Sequence, residues 1–299
     1  MCIEKRSEIL FCYDVTDANP NGDPLDENKP RIDEESKINI VTDVRLKRTI
    51  RDYLYEYKGY NGENGKDIFV RELFVDNDPL KGIQDGKTRA KDFHNNAENV
   101  LNQCIDIRLF GGVIPLDKDS ITYTGPVQFK MGRSLHRAEV KHIKGTGAFA
   151  SKAGAKQATF REEYILPYSF ICFHGIINET AAKHTKLTED DVKELIEAIW
   201  YGTKNLISRS KFGQMPRFLL KVTYKEKGFF IGDLDKKVKL TDYENDFKIR
   251  TVKDFTFDIS ELISSFEENQ NKIEKIEYKI DKDLKVNPQI PDTWQKLEI

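Results

Sequence analysis

The spacing of hydrophobic residues changes several times along this chain, and each change marks a new predicted element. Residues 8–15 form a short apolar run rich in strand-forming side chains, which predicts a first strand. A polar loop dense in Asn, Asp, Gly and Pro follows it. Thr42 is a favoured N-cap residue, and a helix is predicted behind it over residues 42–58. Its apolar side chains recur with the spacing of one helical face, at Leu46, Ile50, Tyr53, Leu54 and Tyr57.

The middle of the chain predicts less regular structure. Residues 68–75 have the composition of a short strand. A long helix is expected over residues 88–108, ended by the Gly pair at 111–112. Its apolar stripe comprises Phe93, Ala97, Val100, Leu101 and Ile105. A half-buried strand follows, since Val127, Phe129 and Met131 alternate with polar or small residues.

The second half of the chain carries the strongest patterns. Residues 165–177 are the most apolar run and predict a central strand, which Pro167 should restrict to the residues after it. Thr188 begins a capping box completed by Asp191. A helical stripe follows at Val192, Leu195, Ile196, Ile199 and Trp200. Residues 217–224 predict another strand, and residues 259–276 predict a last helix.

The predicted core elements run strand, helix, strand, strand, helix, strand. This βαββαβ order is that of RRM-like and ferredoxin-like domains, so the expected fold class is α+β. The core occupies residues 1–58 and 121–225, and residues 59–120 form an insertion. Residues 134–164 are expected to project as a long hairpin, because residues 134–161 contain few large apolar side chains. The acidic residues 226–299 should pack on the core.

Composition limits the location and the class of partner. Of 299 residues, 38% are hydrophobic and 33% are charged, which predicts a packed core beneath a highly charged surface. No apolar run approaches the roughly 20 residues of a membrane span, and no signal peptide is visible, so a cytoplasmic protein without membrane contact is expected. The net charge is −2, yet basic residues crowd the middle of the chain and acidic ones its last quarter.

Motifs for catalysis or metal binding are not evident. The four cysteines form no CxxC pair, and the five histidines form no HExxH motif. Cys12, Cys172 and His174 lie in apolar runs and are interpreted as core residues. One acidic group leaves two interpretations open, a divalent-metal or general-base site and a set of turn-forming residues. It comprises Asp14, Asp17, Asp23, Asp26 and Asp33. No catalytic residue, metal or cofactor is predicted.

Two basic segments are candidates for nucleic-acid binding. Arg45, Lys47, Arg48 and Arg51 crowd seven residues of the first predicted helix, which suits phosphate contacts or a solvated helix face. The projecting segment interleaves basic residues with rings, which suits single-stranded nucleic acid or an ordinary surface loop. Its basic residues are Arg137, Lys141, Lys144, Lys152, Lys156 and Arg161, and its rings are His136, His142 and Phe149.

Five segments, in order along the first 225 residues, resemble the backbone subunit family of CRISPR-associated type I effector complexes. They are DVTDANPNGD at 14–23, TDVRLKRTIR at 42–51, DIRLFGG at 106–112, GPVQF at 125–129 and ILPY at 165–168. Each segment alone is short, but their combination is specific. The resemblance is closest to the type I-B branch.

This resemblance implies an RRM-like palm, a finger-like insert and a thumb-like hairpin. Copies of the protein would stack head-to-tail on a guide RNA, together with other effector-complex subunits, and the guide would pair with target DNA. The protein would then read the RNA backbone and would not be an enzyme. The candidate RNA-binding residues are Thr42, Arg45, Lys47, Arg48, Arg51, Lys130, Arg133, Lys141, His142, Lys144, Phe149 and Lys152.

Two other functions fit the same residues. Related type III subunits cleave RNA with a loop acid, a role open to Asp17, Asp23, Asp26 or Asp33. A stand-alone single-stranded RNA-binding protein is the other alternative.

Overall fold

A computed structural model describes residues 2–116, 120–150 and 158–299. Its strands are β1 (Ser7–Ala18), β2 (Gly22–Asp23), β3 (Lys29–Pro30), β4 (Ile38–Val41), β5 (Gly111–Pro115), β6 (Ser120–Thr124), β7 (Val127–Phe129), β8 (Gly132–Arg137), β9 (Lys141–Ala150), β10 (Ala158–Ile177), β11 (Gln214–Tyr224), β12 (Lys239–Thr241), β13 (Thr256–Asp258), β14 (Ile273–Ile280), β15 (Val286–Asn287) and β16 (Gln295–Lys296).

The helices contain fewer residues in total than the strands. They are α1 (Asp43–Lys58), α2 (Gly86–Lys91), α3 (Ala97–Gln103), α4 (Ile105–Phe110), α5 (Glu179–Thr185), α6 (Glu189–Lys204) and α7 (Ser260–Glu268). Within the described ranges, no helix is long and apolar enough to cross a membrane.

One large sheet organises the molecule. Its strand order is β16-β14-β11-β1-β10-β8-β4, with β7 and β9 also paired to β10. The order β11-β1-β10-β8 is antiparallel throughout. Along the chain, α1 lies between β1 and β8, and α6 lies between β10 and β11. The chain is therefore a mixed α+β protein, as predicted.

The two faces of this sheet pack against different parts of the chain. Side chains alternate along β1, so Ile9 and Phe11 join α1 and α6 in one core, while Leu10 and Cys12 point to the other face. That second core is completed by residues of the C-terminal quarter, including Leu240, Phe257, Leu262 and Trp294. Cys172 and His174 are also buried, as expected.

The two long helices begin where their caps predict. Thr42 accepts a hydrogen bond from the Arg45 backbone N–H, and Thr188 and Asp191 complete the predicted capping box. The apolar stripe of α6 is buried from Val192 to Trp200. The stripe of α1 is buried except for Tyr57, which is 60% exposed. Tyr57 lies in the last turn of α1 and stacks on Tyr53, with ring centroids 5.1 Å apart.

The predicted helix over residues 88–108 is wrong, since the chain forms the three short helices α2, α3 and α4. His94 and Asn95 adopt left-handed backbone conformations after α2, and the Asn96 side chain caps α3. The predicted strand at 68–75 is also wrong. The Phe69 and Val70 N–H groups donate to the Asp106 carboxylate instead of to a neighbouring strand.

Two expectations about the later elements are also corrected. The predicted helix over residues 259–276 ends at Glu268, and Ile273–Ile280 forms β14, which pairs with β11. Strand β10 does not start after Pro167. It passes through this residue because Leu166 pairs with Ala18 and Tyr168 with Thr16, and the intervening Asp17 leaves the ladder with a φ of 48°.

The predicted projecting segment begins later than residue 134. Ser134 and His136 lie in β8 and are 4% and 3% exposed, so they belong to the sheet core. His136 Nε2 accepts a hydrogen bond from the Phe170 N–H, and its ring stacks on Tyr168, so it does not offer a free ring. The hairpin itself consists of β9 and the first half of β10, paired from Ile165–Lys141 outwards.

Candidate nucleic-acid interface

A groove of about 470 Å³ lies where the hairpin leaves the sheet. One wall is the polar loop between β1 and β4, and the other is formed by the residues that connect β7 to β9. Thr42, at the start of α1, lies at its edge. The lining residues include Asp23, Lys29, Arg31, Thr42, Met131 and Val140.

The base of the hairpin is fastened to the loop side of this groove. The Tyr164 hydroxyl donates to Glu27 at 2.6 Å, and the Lys29 ammonium lies 5.2 Å from the Tyr164 ring centre. His142 stacks on the same Tyr164 ring, with centroids 4.5 Å apart. His142 is therefore already engaged, although its side chain is 34% exposed.

Several cations of β8 and β9 are exposed and only loosely held. The nearest carboxylate to Arg133 is Asp33, at 3.8 Å, and the side chain is 54% exposed. Lys144 is 69% exposed and lies 3.3 Å from Glu162, while Lys141 is paired with the adjacent Glu139. Exposed pairs of this kind contribute about 0–1 kcal/mol, so a phosphate can replace the carboxylate at little cost.

The four basic residues of α1 that were predicted to contact phosphates have different surroundings. Arg48 is 56% exposed and pairs with Asp52 at 2.6 Å. Lys47 is 12% exposed and donates to the Gln128 side chain at 3.0 Å. Arg45 donates to the Thr49 hydroxyl at 3.0 Å. The sequence placed these residues on one basic helix, but only Arg48 presents most of its side chain to solvent.

Arg51 makes a buried ion pair. Its Nε donates to Asp106 at 2.9 Å, and the two side chains are 13% and 0% exposed. The guanidinium also lies 5.1 Å from the Phe110 ring centre. Because Asp106 accepts the Phe69 and Val70 N–H groups as well, Arg51 joins α1 to the inserted residues 59–120.

Thr42 and Lys130 are also engaged within the chain. The Thr42 hydroxyl donates to Asn21 at 2.9 Å. The Lys130 ammonium donates to both Asp233 and Asp235 at 2.7 Å. Burial lowers the pKa of the Lys130 ammonium, but the two carboxylates outweigh this effect, so its pKa lies above the ordinary value for lysine. Lys130 therefore ties the edge of the sheet to the C-terminal quarter.

The predicted acidic group does not come together at one point. Asp14 is buried in β1, where it accepts hydrogen bonds from Tyr168 and Arg217, both at 2.9 Å. Asp23 accepts from the Leu25 N–H and from Arg31, and Asp33 accepts from the Glu35 and Ser36 N–H groups. The contacts of Asp23 and Asp33 are those of turn-forming residues, whereas Asp14 belongs to a buried ion pair with Arg217. In the described part of the chain, no three acidic, His or Cys side chains converge as a metal site requires.

Four of the predicted basic and aromatic residues of the hairpin cannot be placed in the site. Lys152 and Lys156 lie outside the described residues, and only the backbone of Phe149 and Arg161 is described. In the other direction, the sequence reasoning missed Lys29, Arg31 and Tyr164, which line or border the groove. Two basic residues flanking Pro30 were a signal for the first two, since the polar loop holds few other cations.

Comparison with known proteins identifies relatives of this chain. The family model described as "CRISPR-associated protein Cas7" matches residues 5–260. A "CRISPR-associated protein Cas7" of Haloferax volcanii is 32% identical, over 91% of this chain and 85% of the relative. Two solved structures share the fold at 11% identity. One is a "CRISPR RNA-guided surveillance complex, pre-nicking" chain (TM-score 0.61, 98% of this chain and 96% of that one), and the other a "CRISPR RNA-guided surveillance complex" chain (TM-score 0.58, 98% and 95%).

Proposed function

Because the chain belongs to the CRISPR-associated protein Cas7 family, we propose that it is the repeated backbone subunit of a CRISPR RNA-guided surveillance complex and binds the guide RNA without sequence preference. The guide, not the protein, reads the target DNA by base pairing. Copies of the chain associate head-to-tail along the RNA and with other subunits of a type I complex, closest to type I-B. No catalytic role is proposed.

The groove at the base of the hairpin is the observation that carries this proposal. It is an open channel lined by Lys29 and Arg31 together with Asp23, Asp26 and Glu34. On the strands β8 and β9, the exposed cations Arg133 and Lys144 have weakly held carboxylate partners. A phosphate backbone supplies sequence-independent affinity by replacing such carboxylates and releasing counterions. At the hairpin base, Tyr164 and His142 stack on each other, and the partly exposed His142 can meet a base of the RNA.

The proposed anatomy follows the family. The sheet order β11-β1-β10-β8 with α1 and α6 is the RRM-like palm, residues 59–120 are the finger-like insert, and the β9–β10 hairpin is the thumb. The hairpin then folds over a strand of RNA that lies in the groove. The C-terminal quarter covers the sheet face opposite α1 and α6, so the RNA follows the edge of the palm and not its face.

A charge-reversal experiment tests the groove. Replacing Arg133, Lys141 and Lys144 together by Glu should weaken binding of single-stranded RNA by a similar factor for oligouridylate and for mixed sequences, because phosphate contacts carry no base information. Each lost phosphate contact should also reduce the slope of log affinity against log salt by about 0.7. Fluorescence anisotropy over a salt series measures both quantities.

The matched control reverses charge in and around β14, β15 and β16, where β14 and β16 lie at the end of the large sheet opposite β8. Lys282, Lys285 and Lys296 are exposed lysines of the C-terminal quarter, and their triple Glu variant changes the net charge by the same amount. It should bind RNA almost as the parent does. If both triple variants lost affinity equally, net charge and not the groove would account for the binding, and the proposed site would be wrong.

A further inference from the structure

The hairpin formed by β9 and the first half of β10 leaves the large sheet at a defined point. Strand β10 pairs with β1 as far as Leu166, which lies opposite Ala18, and it pairs with β9 from Ile165 outwards, beginning opposite Lys141. A two-stranded ribbon is only marginally stable by itself and twists more strongly than a larger sheet. The angle between the hairpin and the sheet therefore depends on what holds the base of the hairpin.

Two consecutive residues at this base, Glu163 and Tyr164, are held by different parts of the chain. The Tyr164 hydroxyl donates to Glu27, in the loop between β2 and β3, at 2.6 Å. Arg209, in the loop between α6 and β11, donates to Glu163 at 2.8 Å. Neighbouring side chains of a strand point to opposite faces. The base of the hairpin is therefore fastened on both of its faces.

The loop that carries Glu27 is itself held in one conformation. The N–H groups of Asp26 and Asn28 donate to the Asp23 carbonyl at 3.1 and 2.8 Å. The Asn19 side-chain amide donates to the Asn28 carbonyl at 2.6 Å. Glu27 and Asn28 both have left-handed backbone conformations, with φ values of 49° and 56°, which restrict this turn further. The Glu27 carboxylate thus meets the hairpin from a rigid support.

The loop that carries Arg209 is anchored to the end of β1. The Asn19 N–H donates to the Ser210 carbonyl at 2.8 Å, and the Thr16 N–H donates to the Gly213 carbonyl at 3.3 Å. The approach at Gly213 needs glycine, because its φ is 104° and a Cβ atom there would lie 2.7 Å from the Thr16 carbonyl oxygen. Since Asn19 also holds the loop of residues 23–29, both supports are tied to the same end of β1.

We propose that Glu27 and Arg209 are positioning residues, which clamp the base of the hairpin and hold it at the angle that RNA binding requires. This inference rests on the proposed function and adds residues that act through the hairpin and not on the RNA. Affinity falls in proportion to the fraction of molecules in the binding-competent conformation, and a hairpin held in advance needs less ordering on binding. Loss of the clamp should therefore lower RNA affinity without removing a phosphate contact.

The charges of the clamp make this expectation the opposite of a simple electrostatic one. The Glu27 and Glu163 side chains are acidic and are 66% and 26% exposed. Removing carboxylates close to an RNA backbone should strengthen binding if charge alone matters. The clamp instead predicts weaker binding when both carboxylates are removed.

The test uses the full-length protein and a fluorescent oligouridylate of about 20 nucleotides, a length that spans more than one binding module. Glu27→Met/Glu163→Met should bind at least about threefold more weakly than the parent. The slope of log affinity against log salt should not change, because no phosphate contact is lost. In the free protein, the amides of residues 141–145 should exchange hydrogen faster in this variant than in the parent.

Two further variants complete the comparison. Tyr164→Phe keeps the ring and loses only the hydroxyl donor, so it should change affinity and hydrogen exchange in the same directions by smaller amounts. The matched control is Glu34→Met/Glu139→Met, which removes two charges from glutamates that are 87% and 55% exposed beside the groove and the hairpin base. This control should bind RNA as tightly as the parent or more tightly.

The outcomes separate the clamp from the proposed function. If the parent does not bind the oligouridylate, the proposed function fails and this inference fails with it. If the parent binds and Glu27→Met/Glu163→Met binds as tightly as the control, the clamp does not position the hairpin, while the groove proposal stands. Weaker binding with unchanged hydrogen exchange in residues 141–145 would also overturn the clamp. Should the double variant fail to fold, Tyr164→Phe decides the question by the same two measurements.

Discussion

Replacing Arg51 by Met should destabilise the protein, because this side chain holds a buried charge. The variant leaves the Asp106 carboxylate, which is 0% exposed, with two backbone N–H donors and no cation. Removing one partner of a buried ion pair costs about 3–5 kcal/mol. The unfolding entropy of a 299-residue chain is roughly 0.6 kcal/mol per degree, so the midpoint of thermal unfolding should fall by about 5–8 °C.

Differential scanning calorimetry measures this shift, and Arg48→Met provides the control. Arg48 pairs with Asp52 on the same helix, but both side chains are well exposed. An exposed pair at this spacing contributes about 0.5 kcal/mol or less, which corresponds to less than about 1 °C. Equal midpoints for the two variants would show that the Arg51–Asp106 pair does not hold the inserted residues against α1. The same result would restore Arg51 as a candidate for direct RNA contact.

Three further outcomes are expected. Burial lowers the pKa of His174, but Asp235 and Glu8 raise it above its ordinary value, so the stability it contributes is complete below about pH 6.5 and is lost as pH rises through the raised pKa. His174→Gln should therefore lower the unfolding midpoint more at pH 5.5 than at pH 9; the opposite order contradicts the pairing. Trypsin should cut the hairpin near Lys144 faster in the free protein than in its RNA complex, and equal rates would remove the thumb role. Size-exclusion chromatography on guides of increasing length should show proportionally longer assemblies, whereas one fixed oligomer on every guide would refute head-to-tail growth.

The elements that the sequence predicts well are those in which local and tertiary preferences agree. Thr42 and Thr188 supply caps, and the stripes behind them have one period over four turns, so α1 and α6 are recognisable without their neighbours. The stretch after Thr88 has the same helical period, but Asn95 and Asn96 favour turn and cap conformations, and the chain breaks there. Strand β14 lacks a local signal of that strength, since its edge is defined by pairing with β11.

In the candidate site too, the sequence predicts the properties that are determined locally and misses those that depend on distant partners. Composition identifies which segments are basic, and this places Lys141, Lys144 and Arg48 on the surface. It does not identify which cations already have a partner, because partners such as Asp106 for Arg51 are distant in the sequence.

The continuity of β10 through Pro167 determines how this protein can change in length. Since one strand forms both the centre of the sheet and one arm of the hairpin, no joint separates the two. An insertion within the sheet half would shift the register and turn buried side chains outward. Insertions of one residue in each arm, on the hairpin side of the Ile165–Lys141 pair, would extend the hairpin by about 3.3 Å per pair and leave the sheet unchanged. Related proteins with hairpins of different length should therefore differ by residue pairs, and an engineered hairpin can be lengthened in the same increments.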